Sequence, residues 1–180
     1  MALSGTSSQI AAGFAGDVTE HTGTIAISNA DYTLTELIAI NNGSTGAITF
    51  TTTNTALEGT STQLAQALAN SNNYAGQVTI TNADYTADQL KTINNGTGGA
   101  IVLQQTGAAL SDTSSDLAAA LAGSISTHTG TIAISNADYS VTQLETIAGA
   151  SSGAITFTTH NTALSGNSTN LAAALGNSSN

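Results

Sequence analysis

The phrase "HTGTIAISNADY" begins at His21 and is spelled again, letter for letter, at His128. A looser copy, "YAGQVTITNADY", begins at Tyr74. One phrase thus recurs three times at a spacing of 53 or 54 residues. Self-similarity at such a period is the signature of a repeat array, and it narrows the possible folds more than any other feature. The repeats are 21–73, 74–126 and 127–180, all within one domain of 180 residues, with a partial unit over 1–20.

Each repeat divides into two halves. The first reads "GTIAISNADYTLTELIAINNGST" and the second "GAITFTTTNTALEGTSTQLAQALANSNN". Both open on an alternating run rich in Ile, Val, Phe and Thr, the pattern of a half-buried strand. The apolar pairs are Ile25/Ile27, Ile48/Phe50, Val78/Ile80, Ile101/Leu103, Ile132/Ile134 and Ile155/Phe157. Their first members lie 23, 30, 23, 31 and 23 residues apart. Each run is followed by a turn and then by a helix signal. The Ser/Thr-x-x-Glu/Gln capping box, in which two side chains satisfy two helix-end amides, occurs at Thr33–Glu36, Thr86–Gln89, Ser140–Gln143, Thr60–Gln63 and Thr6–Gln9. Apolar columns follow at helical spacing: Leu37/Ile40, Leu90/Ile93 and Leu144/Ile147 in one half; Leu64/Leu68, Leu117/Leu121 and Leu171/Leu175 in the other. Leu57, Leu110 and Leu164 form a further column read as core. Glycines close many helices, at Gly43, Gly96, Gly123, Gly149 and Gly176.

A strand and a short helix cannot bury their own apolar faces, so neighbouring units must stack. Strands joined through helices run parallel, and such crossovers are right-handed. The expectation is an α/β protein: a right-handed α/β solenoid of six strand–helix coils with one parallel sheet, helices lining one side, and a lone N-terminal helix. "LSGTSSQIAAGF" from Leu3 aligns with the middle of a repeat, which suggests a segment cut from a longer array behind an added start Met.

Alternation assigns the outward sheet face to small, uncharged side chains. Thr49, Thr51, Thr79, Thr81, Thr156 and Thr158 are its candidate contact residues, with Ala26, Val102 and Ala133 between them. Such a face could meet a second copy, a polysaccharide or an ordered lattice such as ice. Asp31, Asp84 and Asp138 in the "NAD" corners are the candidates weighed for calcium. Equivalent corners two coils apart stand about 9.6 Å from each other at ~4.8 Å per strand, too far for two carboxylates to chelate one ion. The corners read instead as turns closed by Asn29, Asn82 and Asn136. Tyr32, Tyr85 and Tyr139 read as packing over those corners. His21 and His128, four coils apart, and His160, beyond its strand, share no metal in this arrangement. "NGTGGA" at Gly96 lies between helix and strand, the wrong polarity for a phosphate loop. No cofactor, catalytic constellation or metal site is expected.

The balance of one Lys or Arg against eleven Asp and Glu, net −10, argues against nucleic acid and against an anionic membrane surface. No apolar run approaches the ~18 residues of a membrane span, so no membrane insertion is expected. Without cysteine, disulfides and thiolate metal sites are impossible.

The stretches "TNADYTADQLKTINNGTGGAIVL" from Thr81 and "LSDTSSDLAAALAG" from Leu110 resemble repeats of very large exported surface proteins of cyanobacteria and marine bacteria. The resemblance implies an extended, extracellular or cell-surface scaffold without catalysis, whose partners are the neighbouring repeats of the parent chain. Self-association through the sheet face or the cut ends is the other partnership considered.

Overall fold

The computed structural model describes residues 1–16, 20–52, 55–160 and 163–179. The chain is α/β. Its first third runs β1 (Leu3–Gly5), α1 (Ser7–Phe14), β2 (Ile25–Ile27), α2 (Leu34–Asn42) and β3 (Ile48–Phe50). The middle third runs β4 (Leu57–Gly59), α3 (Ser61–Leu68), β5 (Val78–Ile80), α4 (Ala87–Gly96) and β6 (Ile101–Leu103). The last runs β7 (Leu110–Asp112), α5 (Ser114–Ala120), β8 (Ile132–Ile134), α6 (Val141–Gly149), β9 (Ile155–Phe157) and α7 (Ser168–Leu175).

All six strands expected from the alternating runs are present, and all pairings are parallel. The single sheet is not. Nine strands among the described residues form three separate three-stranded sheets, ordered β1-β2-β3, β4-β5-β6 and β7-β8-β9. The physical cause is the extra seven or eight residues in the longer half-repeats. They carry a second short strand, "LEG" or "LSD", that pairs with the next unit instead of the previous one. Leu57 pairs with Val78 and Leu110 with Ile132. The rung above β3 is supplied by Ser71, which bridges Ile48, while the same segment runs on to become β5 on top of β4. The ladder therefore shifts sideways once per repeat. The N-terminal helix is not a lone helix either: β1 precedes it and pairs with β2 through Leu3–Ile25 and Gly5–Ile27.

Helices pack on one another in chain order, α1 against α2 through α6 against α7. The five capping boxes all form. Their helices begin after an extended N-cap whose hydroxyl accepts from the third amide. Leu37, Ile40, Leu64, Leu68, Leu90, Ile93, Leu117, Leu144 and Ile147 are fully buried against strand residues Ile25, Ile27, Val78, Ile80, Ile132 and Ile134. The glycines close helices as expected: Gly43 and Gly176 are C-caps, and α4 and α6 end on Gly96 and Gly149. Gly123 alone adopts a left-handed φ, +73°. Gly96 is needed for close approach: a β-carbon there would stand 2.8 Å from Leu68 Cβ.

Candidate functional site

The sequence singles out three sets of residues: the outward threonines, the acidic corners, and the recurring histidines and tyrosines. The fold gives each a different fate.

The middle residue of each strand faces outward. Along each sheet these residues are Ser4, Ala26 and Thr49; Glu58, Thr79 and Val102; Ser111, Ala133 and Thr156. Thr49, Thr79 and Thr156 thus hold the same middle position, half-buried, but in three different sheets. The Thr49/Thr51 and Thr79/Thr81 pairs are not ladder neighbours. Glu58, a strand residue that alternation had not placed there, lies directly beside Thr79. Most of the hydroxyls are also engaged. Thr49 Oγ1 donates to Ile25 O (3.1 Å), Thr51 to Ile27 O (3.0 Å), Thr156 to Ile132 O (3.3 Å) and Thr158 to Ile134 O (2.9 Å). Each threonine is tied to the strand before it. Thr79 Oγ1 accepts from Gln77 Nε2 at 3.2 Å.

The corners are built with more side-chain chemistry than turns need. Asn82 Oδ1 accepts from Ser61 N (2.7 Å), and its Nδ2 donates to Ser61 Oγ (3.0 Å) and Asp84 Oδ1 (2.6 Å). Ser61 is the first residue of α3 and is fully buried. Its Oγ donates in turn to Gln89 Oε1 (2.8 Å), the third residue of α4, whose Oε1 also caps Thr86 N. Asn29, Ser7 and Glu36 repeat this chain of bonds, as do Asn136, Ser114 and Gln143. The asparagines thus join the start of one helix to the corner and helix start of the next unit. Asp31 and Asp138 are exposed, and the amide donors of Asn29 and Asn136 hold their carboxyls below the ordinary value of 3.8. Among the described residues no three His, Asp or Glu side chains converge. The buried serine was the part that sequence reasoning missed. Its signal was the second residue of "TSSQ", "TSTQ" and "TSSD", small and hydroxyl-bearing in each copy.

This network makes a sharp prediction. Asn82→Ala strips the buried Ser61 amide of its acceptor and leaves the Ser61 hydroxyl with Gln89 alone, and the loss should be about 2–3 kcal/mol. Urea unfolding should show it as a lowered midpoint, while the exposed Asp84→Asn changes the midpoint little.

The His/Tyr column lies where each repeat begins. His128 is fully buried, with Nδ1 3.0 Å from Tyr85 Oη and the rings edge-on at 5.9 Å. Burial lowers its pKa. Tyr74 occupies the matching place one repeat earlier, edge-on to Tyr32 at 6.3 Å, with its hydroxyl donating to Thr55 O. Burial raises the pKa of Tyr74 and of Tyr85, so both stay neutral. His21 occupies the first place, beside Phe14 at 6.1 Å. The three tyrosines of the corners are buried, as packing over those corners requires. His160 stands apart from this column, exposed after β9.

No family model, curated protein or solved structure matches this chain. No helix among the described residues is long and apolar enough to cross a membrane.

Proposed function

We propose that this chain is a non-catalytic structural segment: an extended α/β solenoid spacer or scaffold within a large bacterial cell-surface or secreted protein. One observation carries the reading. The polar residues that recur from repeat to repeat are spent on holding unit to unit. Asn29, Asn82 and Asn136 bind the buried serines of the preceding helix, and four of the six outward threonines donate to the preceding strand. A catalytic site needs unlike groups converging on a reacting atom, and a binding face needs donors and acceptors left free for a ligand. Repeated contacts between successive units instead give a body whose length grows with repeat number. The excess of carboxylates over cations keeps such a body from sticking to nucleic acid and other anionic polymers.

The alternative, an adhesin or a polysaccharide- or ice-binding module using the Thr/Ala/Ser face, competes with those inward hydrogen bonds and with Glu58. Light scattering after size exclusion, over a wide concentration range with calcium and then chelator, separates the two. A monomer indifferent to concentration and calcium is the expected result. Concentration-dependent dimers that disappear in Thr79→Lys would replace the spacer by a contact face, and a calcium-dependent change would return Asp31, Asp84 and Asp138 to consideration.

A further inference from the structure

Two successive junctions of the stack are built alike and differ at one ring. Tyr74 opens the phrase of the second repeat, edge-on to Tyr32, and its hydroxyl donates to Thr55 O. His128 opens the phrase of the third, edge-on to Tyr85, with Nδ1 3.0 Å from Tyr85 Oη. Both rings are buried. A phenol kept neutral by burial has the same charge at pH 7.5 and pH 5. An imidazole takes up a proton in that range unless its surroundings resist.

Three parts of the chain cover His128. The "NADY" corner contributes Tyr85, which is neutral. The segment between β6 and β7, residues 104–109, contributes the backbone of Ala108, which acts on both Tyr85 and His128. The end of α6 and the residues after it contribute Ala150 O, which accepts from His128 N, and Ser151 Oγ and Ser152 N, which donate to His128 O. Among the described residues no carboxylate or cation acts on the imidazole. A charged ring in this place has no counter-charge, so its relief must come from water. The cover that yields most readily is 104–109. It is neither helix nor strand, and Gln104, Gln105, Gly107 and Ala109 are exposed. Its tie to the third repeat runs through Thr106, whose O accepts from Thr129 N (2.8 Å) and Gly130 N (3.1 Å) and whose Oγ1 meets Thr129 Oγ1 (3.0 Å). Tyr85, by contrast, stands between the bonded Asn82 corner and the capped start of α4. Exposed backbone held by few bonds is where a fold opens locally.

We propose that residues 104–109 form an acid-released latch: protonation of His128 lifts this segment from the ring and opens the junction ahead of the third repeat, while the Tyr74 junction stays closed. The proton passes from solvent to the imidazole, and water solvates the ring once Ala108 has moved off it. One junction opens while the remaining units stay folded, which is a different event from a uniform loss of stability. The latch does not depend on the reading of the chain as a spacer, and the light-scattering test of that reading is made without a change of pH.

Amide exchange, followed residue by residue in the full chain at pH 7.5 and pH 5, tests this, each rate being divided by the intrinsic rate at that pH. Thr129 N and Gly130 N, which donate to Thr106 O, and Gln104 N, which donates to Ile80 O, report on the latch. They should lose protection about tenfold for each pH unit over which the buried ring resists its proton. Thr51 N, which donates to Ile27 O, and Leu57 N, which donates to Gln77 O, flank the matching segment of the first junction and should keep their protection. The midpoint of the change should coincide with the titration of the His128 ring, read from its own resonances. In His128→Tyr all five amides should stay protected at both pH values. If Thr51 and Leu57 lose protection together with Gln104, Thr129 and Gly130, acid acts on the whole stack and the latch is overturned. It is overturned equally if the three latch amides stay protected at pH 5, or if they open to the same extent in His128→Tyr. The two maps of the native chain decide the matter even where His128→Tyr does not fold.

Discussion

Gly99→Ala should destabilise the protein by about 3 kcal/mol or more, whereas Gly98→Ala, one residue earlier, should leave it within about 0.5 kcal/mol or stabilise it slightly. The two glycines are adjacent in sequence and opposite in circumstance. Gly99 sits directly over the preceding unit. A β-carbon on it would fall on Gly76 O, inside van der Waals contact, and 2.7 Å from Ala75 O. Those atoms are backbone of a neighbouring unit held by its own ladder, so they cannot swing aside as the end of a side chain could. Thr97 Oγ1 fixes the approach from the other side, donating to Tyr74 O (3.3 Å) and accepting from Gly99 N (2.9 Å). The same Ser/Thr-x-Gly step recurs at Ser44–Gly46 and Ser151–Gly153, where the added carbon would meet Gly23 O and Gly130 O. At Gly98 a β-carbon meets nothing within 4 Å, and the backbone is outside the left-handed region. Urea midpoints of the two single variants, measured side by side, check the contrast. Equal midpoints would mean that the units are not stacked at this distance.

Acid should weaken the protein well before its carboxylates protonate, and His128 should be the reason. Its ring is fully buried, its Nδ1 meets the neutral Tyr85, and burial outweighs the backbone of Ala108, which favours the charged form. Burial therefore penalises the imidazolium and lowers the folded-state pKa below the ordinary 6.5. The unfolded chain takes up its proton near 6.5 while the folded chain resists, so the unfolded state binds more protons in this window. Stability is full above about pH 6.5 and falls as pH drops from there toward the folded-state value, each pH unit between the two costing about 1.4 kcal/mol. Asp31 and Asp138 work later. Their folded pKa values lie below 3.8, so their contribution is lost only as pH falls from about 3.8 through those lower values. The chain itself suggests the control. Tyr74 stands where His128 stands, one repeat earlier, so His128→Tyr is a substitution the fold already accommodates. Urea midpoints at pH 7.5 and pH 5 should diverge for the native chain and nearly coincide for His128→Tyr. An equal drop in both would remove His128 as the cause.

Much of this molecule was readable without its structure because it repeats. Three copies of one phrase turned weak local signals into columns. Strands, capped helices and the buried faces of α2, α4 and α6 followed from alternation and from helical spacing. What the columns could not give was which strand lies beside which. Thr49 and Thr79 look like neighbours when repeats are written one under another, yet the lateral shift of the ladder puts them in different sheets. The asparagine corners read as turns because Asn closes turns locally. Their larger role, holding a buried serine 21 or 22 residues earlier, depends on how two units meet and leaves only a small hydroxyl residue as its trace.

The tripeptide "LSG" marks the boundary between the two kinds of knowledge. At Leu3–Gly5 it is strand β1, paired with β2. At residues 164–166 the same three letters, followed by the same kind of capped helix, form no strand. A helix completes its hydrogen bonds within its own segment once its ends are capped, so α1 and α7 could both be foreseen from their own residues. A strand has no internal bonds, and its amides and carbonyls are satisfied only by a neighbour. Leu3–Gly5 has β2 beside it, whereas among the described residues no strand pairs with 164–166. The sequence determined by itself the repeat, the helices and the apolar faces. Stacking alone decided the sheets, and with them the fate of the threonine face.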